Sequence, residues 1–209
     1  MSKKIITLFI LALIVIPVFF FVTYAMGDHE ILLLGIDPSE KRPGLGGVDM
    51  AFIISTSNGR IVNKTTIYPG GMTHPTAEVP AYLQSLGQGK LLLHDSFWEN
   101  DTANSAQIAK EIVEYNTNRK TDIVVVVTPT ALDDMINAIG PITANGQVME
   151  NVSSIEWLRD DQDRGNTRGD SVEAVMSAMS DATRNPVKIL PLTMAVIRQY
   201  MAGNLYIFF

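Results

Sequence analysis

Apolar and polar positions along this chain switch between two periods, and the switches mark its elements. The first stretch has no period at all. Lys3 and Lys4 lead into an uncharged apolar run, Ile5 to Met26. A run of about 22 residues that is apolar on every face is long enough to span a bilayer. Short apolar runs then follow at strand length. Ile31 to Leu34 ends at Gly35, and Met50–Thr56 and Arg60–Ile67 flank Asn58-Gly59, a hairpin signal. Tyr68-Pro69-Gly70-Gly71 closes the third strand with a glycine loop. Val79–Leu86 reads as a short helix, and Lys90–His94 as either a strand or a helix edge.

From there helical and strand periods alternate. Ser105–Asn116 predicts a helix with Ile108, Ile112 and Tyr115 on one face. Asp122–Thr128 is a β-branched run, the pattern of a strand buried on both faces. Thr128-Pro129 opens a helix whose core stripe is Leu132, Met135, Ile136 and Ile139, and Gly140-Pro141 stops it. Asn145-Gly146 predicts a second small hairpin. Ser153-x-x-Glu156 reads as a capping box before Trp157 and Leu158. Arg159 to Asp170 contains no apolar residue and reads as a polar loop. Asp170-x-x-Glu173 then opens a helix to about Thr183, with Val172, Val175, Met176 and Met179 inward. Asn185-Pro186 breaks it, and Leu190–Ala202 forms a last helix. Leu205 to Phe209 is either a final strand or the place where the sequence is cut short. Strands interleaved with amphipathic helices predict an α/β domain: one mixed central sheet with helices on both faces, preceded by one transmembrane helix.

Charge adds orientation. Lys3 and Lys4 lie before the apolar run, and Asp28 and Glu30 after it, so the basic end stays in the cytoplasm. The expected organisation is a cytoplasmic stub (1–4), a single-pass anchor in the cell membrane (Ile5–Met26), and an extracytoplasmic domain (27–209). A cleaved signal peptide ending near Thr23-Tyr24-Ala25 is the alternative. Sequons at Asn63, Asn100 and Asn151 fit export. About 180 residues beyond the run suffice for one domain with a core. A net charge of −6 and a pI near 5.0 argue against a nucleic-acid partner. The chain has no Cys, which excludes disulfides and thiol chemistry. His29, His74 and His94 show no metal-ligand spacing and read as surface or half-buried residues.

The candidate chemistry sits in two segments. Asp37 and Asp49 bracket a loop holding Arg42, Pro43, Gly44, Gly46 and Gly47. Two adjacent strands would carry both acids to one sheet edge, where open α/β sheets bind ligands. Glycines there let backbone N–H groups approach an anion, and paired Asp carboxylates suit Mg²⁺. The same residues also make an ordinary turn. No Gly-Lys-Ser/Thr follows, and Gly44, Gly46 and Gly47 precede a strand, so neither phosphate-loop fingerprint fits. In the second segment Arg159, Arg164 and Arg168 lie ahead of a helix N-terminus, a setting that suits phosphate oxygens. Alternatively the segment is a solvated loop in which Asp160, Asp161 and Asp163 pair these arginines. No Gly-x-Ser-x-Gly elbow or Ser-His-Asp pattern points to a hydrolase.

From Ile31 to about Thr183 the chain resembles the LytR-CpsA-Psr (LCP) family. LLLGIDPSEKRPGLGGVDMAF is more closely similar to its relatives in the domain of unknown function 4012 family. The resemblance is sharpest at Gly35-Ile36-Asp37, Arg42-Pro43-Gly44 and Val48-Asp49-Met50. It implies the LCP fold and a membrane-anchored enzyme outside the cell. Such enzymes move a glycan from a polyprenyl-(pyro)phosphate carrier to a cell-wall acceptor. It further implies Asp37 and Asp49 as catalytic and Mg²⁺-holding residues, with Arg42, Arg159, Arg164 and Arg168 on the phosphates. The family's Arg-Ser-Asp-Thr is Gly47-Val48-Asp49-Met50 here, and its Pro-Arg-Asp is Pro69-Gly70-Gly71. Two functions are therefore open. One is an LCP-type transferase. The other is a non-catalytic envelope module that binds a lipid-linked glycan, a wall polymer or a partner protein. The topology has a direct check: a reporter fused after Phe209 is expected to be active only outside the cytoplasm, and cytoplasmic activity would remove the envelope reading.

Overall fold

A computed structural model of the chain describes residues 27–150 and 153–209. The apolar run Ile5–Met26 and the sequon at Asn151 lie outside them. Among the described residues no helix is long and apolar enough to cross a membrane.

The central sheet is built from local signals. β1 (His29–Asp37) pairs antiparallel with β2 (Gly47–Ser57), and β2 with β3 (Arg60–Ile67). Asn58 and Gly59 both have positive φ, 51° and 72°, as a two-residue turn matched to strand twist requires. β4 (Ile123–Val127) joins parallel to β1, and β7 (Leu205–Phe208) antiparallel to β4. The order is β3-β2-β1-β4-β7, a mixed five-stranded sheet. β5 (Ile142–Ala144) and β6 (Gln147–Met149) make the separate small hairpin around Asn145-Gly146.

Alternation along the strands builds two cores. Leu32, Leu34, Val48, Ala51 and Ile53 pack with Ala106, Ala109, Ile112 and Val113 of α2 (Thr102–Thr117). On the other face Phe52 and Ile54 pack with Ile136 of α3 (Pro129–Ile139), Trp157 and Leu158 of α4 (Ser154–Asp163), and Val172 and Val175 of α5 (Arg168–Ala182). α6 (Pro186–Met201) lies against α3 through Ala195, which meets Ala131 and Met135. Helices thus cover both faces, and a short helix, α1 (Ala81–Ser85), sits beside them.

One irregularity interrupts the β1–β2 ladder. Gly35 pairs with Met50, but Ile36 pairs with Val48, so Asp49 is an extra residue in β2. Such a bulge resets which face the following side chains take. Without it Asp49 would share a face with Ala51. With it, Val48 stays in the α2-side core while Met50 joins the opposite one.

Several sequence expectations change in detail. The buried apolar face of α2 is Ala106, Ala109, Ile112 and Val113, so of the expected stripe Ile112 is in the core. Ile108 is only partly buried and Tyr115 is exposed. Lys90–His94 is neither strand nor helix: Leu92 makes one isolated bridge to Thr73, and a single 3-10 turn, Leu93–Asp95, follows. Ser153 does not cap α4 with its side chain. Asp133 of α3 does so, accepting from Ser154 N–H at 2.7 Å. The supposed polar loop is mostly helix, since α4 continues to Asp163 and only Arg164–Thr167 connects it to α5. Thr167, not Asp170, is the cap of α5. Its Oγ1 accepts from Asp170 N–H at 3.2 Å and donates to the Asp170 carboxylate at 2.6 Å. α6 begins earlier than its apolar pattern, because Asn185 accepts from Val187 N–H at 3.1 Å and Pro186 takes the first position.

The loop between β1 and β2 is pinned by backbone contact. Gly44 N–H donates to the Trp98 carbonyl at 2.8 Å, and a Cβ there would meet the carbonyl oxygens of Phe97 and Glu99 at 2.3 Å. Gly44→Ala is therefore expected to cost about 1–3 kcal/mol, the range for overpacking a tight site. Thermal unfolding of the purified chain checks this, and an unchanged midpoint would show that the loop yields freely.

Candidate functional site

A cavity of about 1150 Å³ lies between the Phe52 face of the sheet and helices α3 to α5. Its walls are apolar along most of its length, with Leu132, Val172, Val175, Met176 and Met179 facing Phe52. At one end stand Asp37, Asp49, Arg159 and Arg168. At the other, around the β2–β3 turn, stand Arg60, Ile61, Arg184 and Ile189. From Asp49 to that turn β2 spans roughly 27 Å, at about 3.4 Å per residue.

Each charged residue reaches the first end for a local reason. Asp37 closes β1. Its Oδ1 accepts from Ser39 N–H at 2.8 Å. Hydrogen bonds from Ser39 hold the carboxyl below the usual carboxylate range against the effect of burial, and the charges of Arg168 and Arg159 add to this. Asp37 is thus ionised at neutral pH. Asp49 lies on the cavity face because of the bulge. Arg168 is the first residue of α5, and its Nη2 donates to Asp49 Oδ2 at 2.8 Å. That guanidinium is half exposed, so the pair contributes only about 0–1 kcal/mol. Arg159 projects from α4, and its guanidinium makes no hydrogen bond among the described residues.

The arginine segment is held by a buried acid. Asp161 is fully buried and accepts four hydrogen bonds: Ser171 at 2.6 Å, Asn145 at 2.8 Å, Arg164 at 3.0 Å and Asn166 at 3.1 Å. Burial alone would raise its carboxyl, but these four donors outweigh that and leave it below the ordinary value. Arg164 is therefore turned away from the cavity onto Asp161, as the loop-pairing alternative has it.

Arg42 also lies outside the cavity. Its nearly buried guanidinium donates to Asp95 at 2.6 Å, to Glu40 at 2.5 Å and to the His94 carbonyl at 3.1 Å, and it sits 5.4 Å over the Trp98 ring. It clamps the β1–β2 loop to the Leu93–Asp95 turn. The same contacts bear on the group Glu40, Asp49 and His94, whose ligand atoms lie close enough for a metal ion. His94 Nδ1 donates to the Val48 carbonyl at 3.0 Å, and its Nε2 accepts from Arg42 at 2.7 Å. The guanidinium already fills a cation's place there, so this group does not fit a metal. His74 is a buried brace: Nδ1 accepts from Thr76 and Ala77 N–H, and Nε2 donates to Glu111 at 2.9 Å. Gln162, one turn after Arg159 on α4, lines the cavity too. Its i, i+3 spacing from Arg159 would have revealed it had α4 been carried through Asp163.

Helices on both faces of a mixed five-stranded sheet, with this cavity under one of them, make a layered α/β domain. The fold matches Bacillus subtilis TagV with a TM-score of 0.60 at 15% identity, over 87% of this chain and 74% of that one. The protein gbs0355 of Streptococcus agalactiae matches at 0.60 and 16%, over 88% and 70%. TagT bound to LI-WTA matches at 0.51 and 15%, over 87% and 69%. At such identities the likeness is one of fold. Residues 26–162 match the model of DUF4012, a protein family of unknown function, and the chain belongs to that family. No curated protein sequence matches it.

Removing the Asp161 charge leaves Ser171, Asn145 and Arg164 without their shared acceptor. Asp161→Ala is expected to cost about 3 kcal/mol, the scale for breaking a buried ion pair from one side. Because the folded carboxyl titrates below its ordinary value, its contribution is present above the ordinary carboxylate range. It is lost as pH falls through the folded value. Urea unfolding of wild type and Asp161→Ala across acid pH checks this. The gap between them should close on acidification, and a constant gap would count against the assignment.

Proposed function

We propose that the chain is a membrane-anchored envelope protein that takes a polyprenyl-(pyro)phosphate-linked glycan outside the cell. In this reading it passes the glycan to a wall acceptor as LCP transferases do. One observation carries the reading: a long apolar cavity ends in two carboxylates and two arginines, the complement of an apolar chain with a phosphate head. The fold relative TagT has been solved bound to LI-WTA, and a ligand of that kind is what this reading assigns to the cavity. Anchoring by Ile5–Met26 keeps such a domain at the surface where the carrier resides.

The residues divide the work by charge. Arg159, whose guanidinium makes no hydrogen bond among the described residues, and Arg168, held by one weak pair, would place forked N–H donors on the phosphate oxygens. An acceptor hydroxyl attacks the glycan-side phosphorus. The bridging P–O bond breaks, and polyprenyl phosphate leaves with the electron pair. Asp37, ionised at the cavity end, would take the hydroxyl proton. Asp37 and Asp49 also fit Mg²⁺ by their donor chemistry, two hard carboxylates beside a phosphate site. Bound there, the ion would neutralise phosphate charge as it redistributes in the transition state. A binding-only role is favoured by one specific feature. Where LCP proteins carry an arginine and an acid, this chain has Gly70 and Gly71 after Pro69, both facing open space.

Binding tests the reading and turnover separates its two forms. Arg159→Ala and Arg168→Ala should each weaken polyprenyl-phosphate binding ten- to a hundredfold, at about 1.4 kcal/mol per factor of ten. Lys at position 159 should restore only part, since it keeps the charge without the fork. Asp37→Asn combined with Asp49→Asn should abolish Mg²⁺ binding measured by calorimetry with the lipid present. Unchanged lipid affinity in both arginine variants would overturn the site. Binding without release of polyprenyl phosphate from a lipid-linked glycan would leave the module function.

A further inference from the structure

α6 carries a second pattern that its packing does not use. Val187, Leu190, Met194, Ile197 and Met201 recur at spacings of three and four, and all five are between 48% and 82% exposed. Those spacings place them on one face of the helix. The opposite face is already spent on α3 through Ala195 and Gln199, the latter donating to Asp134 at 2.7 Å. A contiguous apolar stripe of this length on a surface helix marks a site of interaction.

Charge identifies the surroundings it suits. From Ala182 to Phe209 the chain contains no Asp or Glu, yet it carries Arg184, Lys188 and Arg198. This is a basic segment in a protein of net charge −6. Arg198 is engaged by Asp134, while among the described residues the Arg184 side chain has only a long contact to Asp181 at 3.5 Å. An apolar stripe flanked by basic residues is the pattern of a helix lying in an anionic membrane interface. A second copy fits less well. Heptad spacing suits helix pairing, but two such helices would set basic flanks against each other with no acid in the segment to answer them.

The topology puts the start of this helix at the far end of the cavity, while its last turn packs on Asp134 of α3 toward the other end. Ile189 belongs both to the exposed surface of α6 and to the far end of the cavity, beside Arg60 and Arg184. His29, where the chain enters the sheet, pairs with Thr56, two residues before the β2–β3 turn at that same end. The described chain therefore enters the domain at the same end as the start of α6, and the apolar run Ile5–Met26 immediately precedes that entry in sequence.

We propose that α6 lies in the headgroup region of an anionic bilayer, its Val187–Met201 stripe inserted, so that the far end of the cavity opens onto lipid. The docking rests on the anchored-protein reading above, and it gives a lipid tail a route into the cavity that avoids water.

The absence of cysteine makes the test direct. In the full chain, Met194→Cys supplies a single thiol for an environment-sensitive fluorophore, and Asn104→Cys on α2, on the opposite sheet face, supplies the control. Both are reconstituted in phosphatidylcholine vesicles with and without phosphatidylglycerol. The label at 194 should shift to the blue and be quenched by spin-labelled acyl chains, more strongly with phosphatidylglycerol, while the label at 104 remains aqueous. Arg184→Glu combined with Lys188→Glu should reduce the quenching at 194 several-fold. Equal, aqueous behaviour at 194 and 104 overturns the proposal. So does a blue shift at 194 without lipid quenching, accompanied by disulfide-linked dimers of the unlabelled variant. Arg168→Ala serves to keep the two readings apart. It should weaken polyprenyl-phosphate binding while leaving the quenching at 194 intact, so failure of the head-group site and failure of the docking produce different results.

Discussion

The candidate site depends on one buried charge. Asp161 is removed from water completely, and an isolated carboxylate in that position would be very costly. Its four donors come from the β5–β6 turn, the connector after α4, and the first turn of α5. Satisfying the carboxylate therefore fixes three pieces of chain at once. α4 and α5 cannot slide relative to each other without leaving a donor or an acceptor unpaired. Arg159 lies two residues before Asp161, and Arg168 three residues before Ser171. The network that neutralises Asp161 thus sets where both cavity-facing arginines begin.

The acids opposite them are set by backbone irregularity. A regular β2 would put Asp49 toward α2, inside an apolar core. The extra residue between Val48 and Met50 moves it to the cavity face and keeps Val48 in that core. Gly35 sits across from Met50 at the shift, where a Cβ would approach the Met50 methyl at 3.1 Å. The bulge, the small residue beside it and the position of Arg168 form one arrangement. Changing the register would lose both the Asp49–Arg168 pair and the packing of Val48.

The fold was legible wherever apolar periodicity controls structure. The strands around Asn58-Gly59, the Thr128-Pro129 helix start and the inward stripe of α5 all follow from local residues. Asp37, Asp49, Arg159 and Arg168 could be singled out, since acids and arginines at element ends stand out against those patterns. The rest was hidden for a physical reason: at these places the buried residue is polar. α4 reads as too short from its pattern because its inward position is Asp161, which binary patterning counts as surface. Arg42 sits in a glycine loop that suggests phosphate, while its partner Asp95 lies 53 residues away and only the fold brings them together. The bulge changes a register by one residue, and no composition signal marks it.

The contrast between the two arginine clusters bears on function. Arg42 is nearly buried and saturated by Asp95, Glu40 and the His94 carbonyl, so releasing it would strand charges in a poorly solvated place. Arg168 holds Asp49 through one bond at a half-exposed guanidinium, which solvent screens and a stronger acceptor can replace. A phosphate dianion arriving at the cavity end is such an acceptor, since it offers several oxygens to a guanidinium fork. Taking Arg168 from Asp49 would also free that carboxylate beside Asp37, bringing two acids together at the moment an anion enters. In the proposed reading, phosphate binding by Arg168 and cation binding by Asp49 would be coupled through this single weak pair. Release of the pair by one partner would leave the other group free to bind.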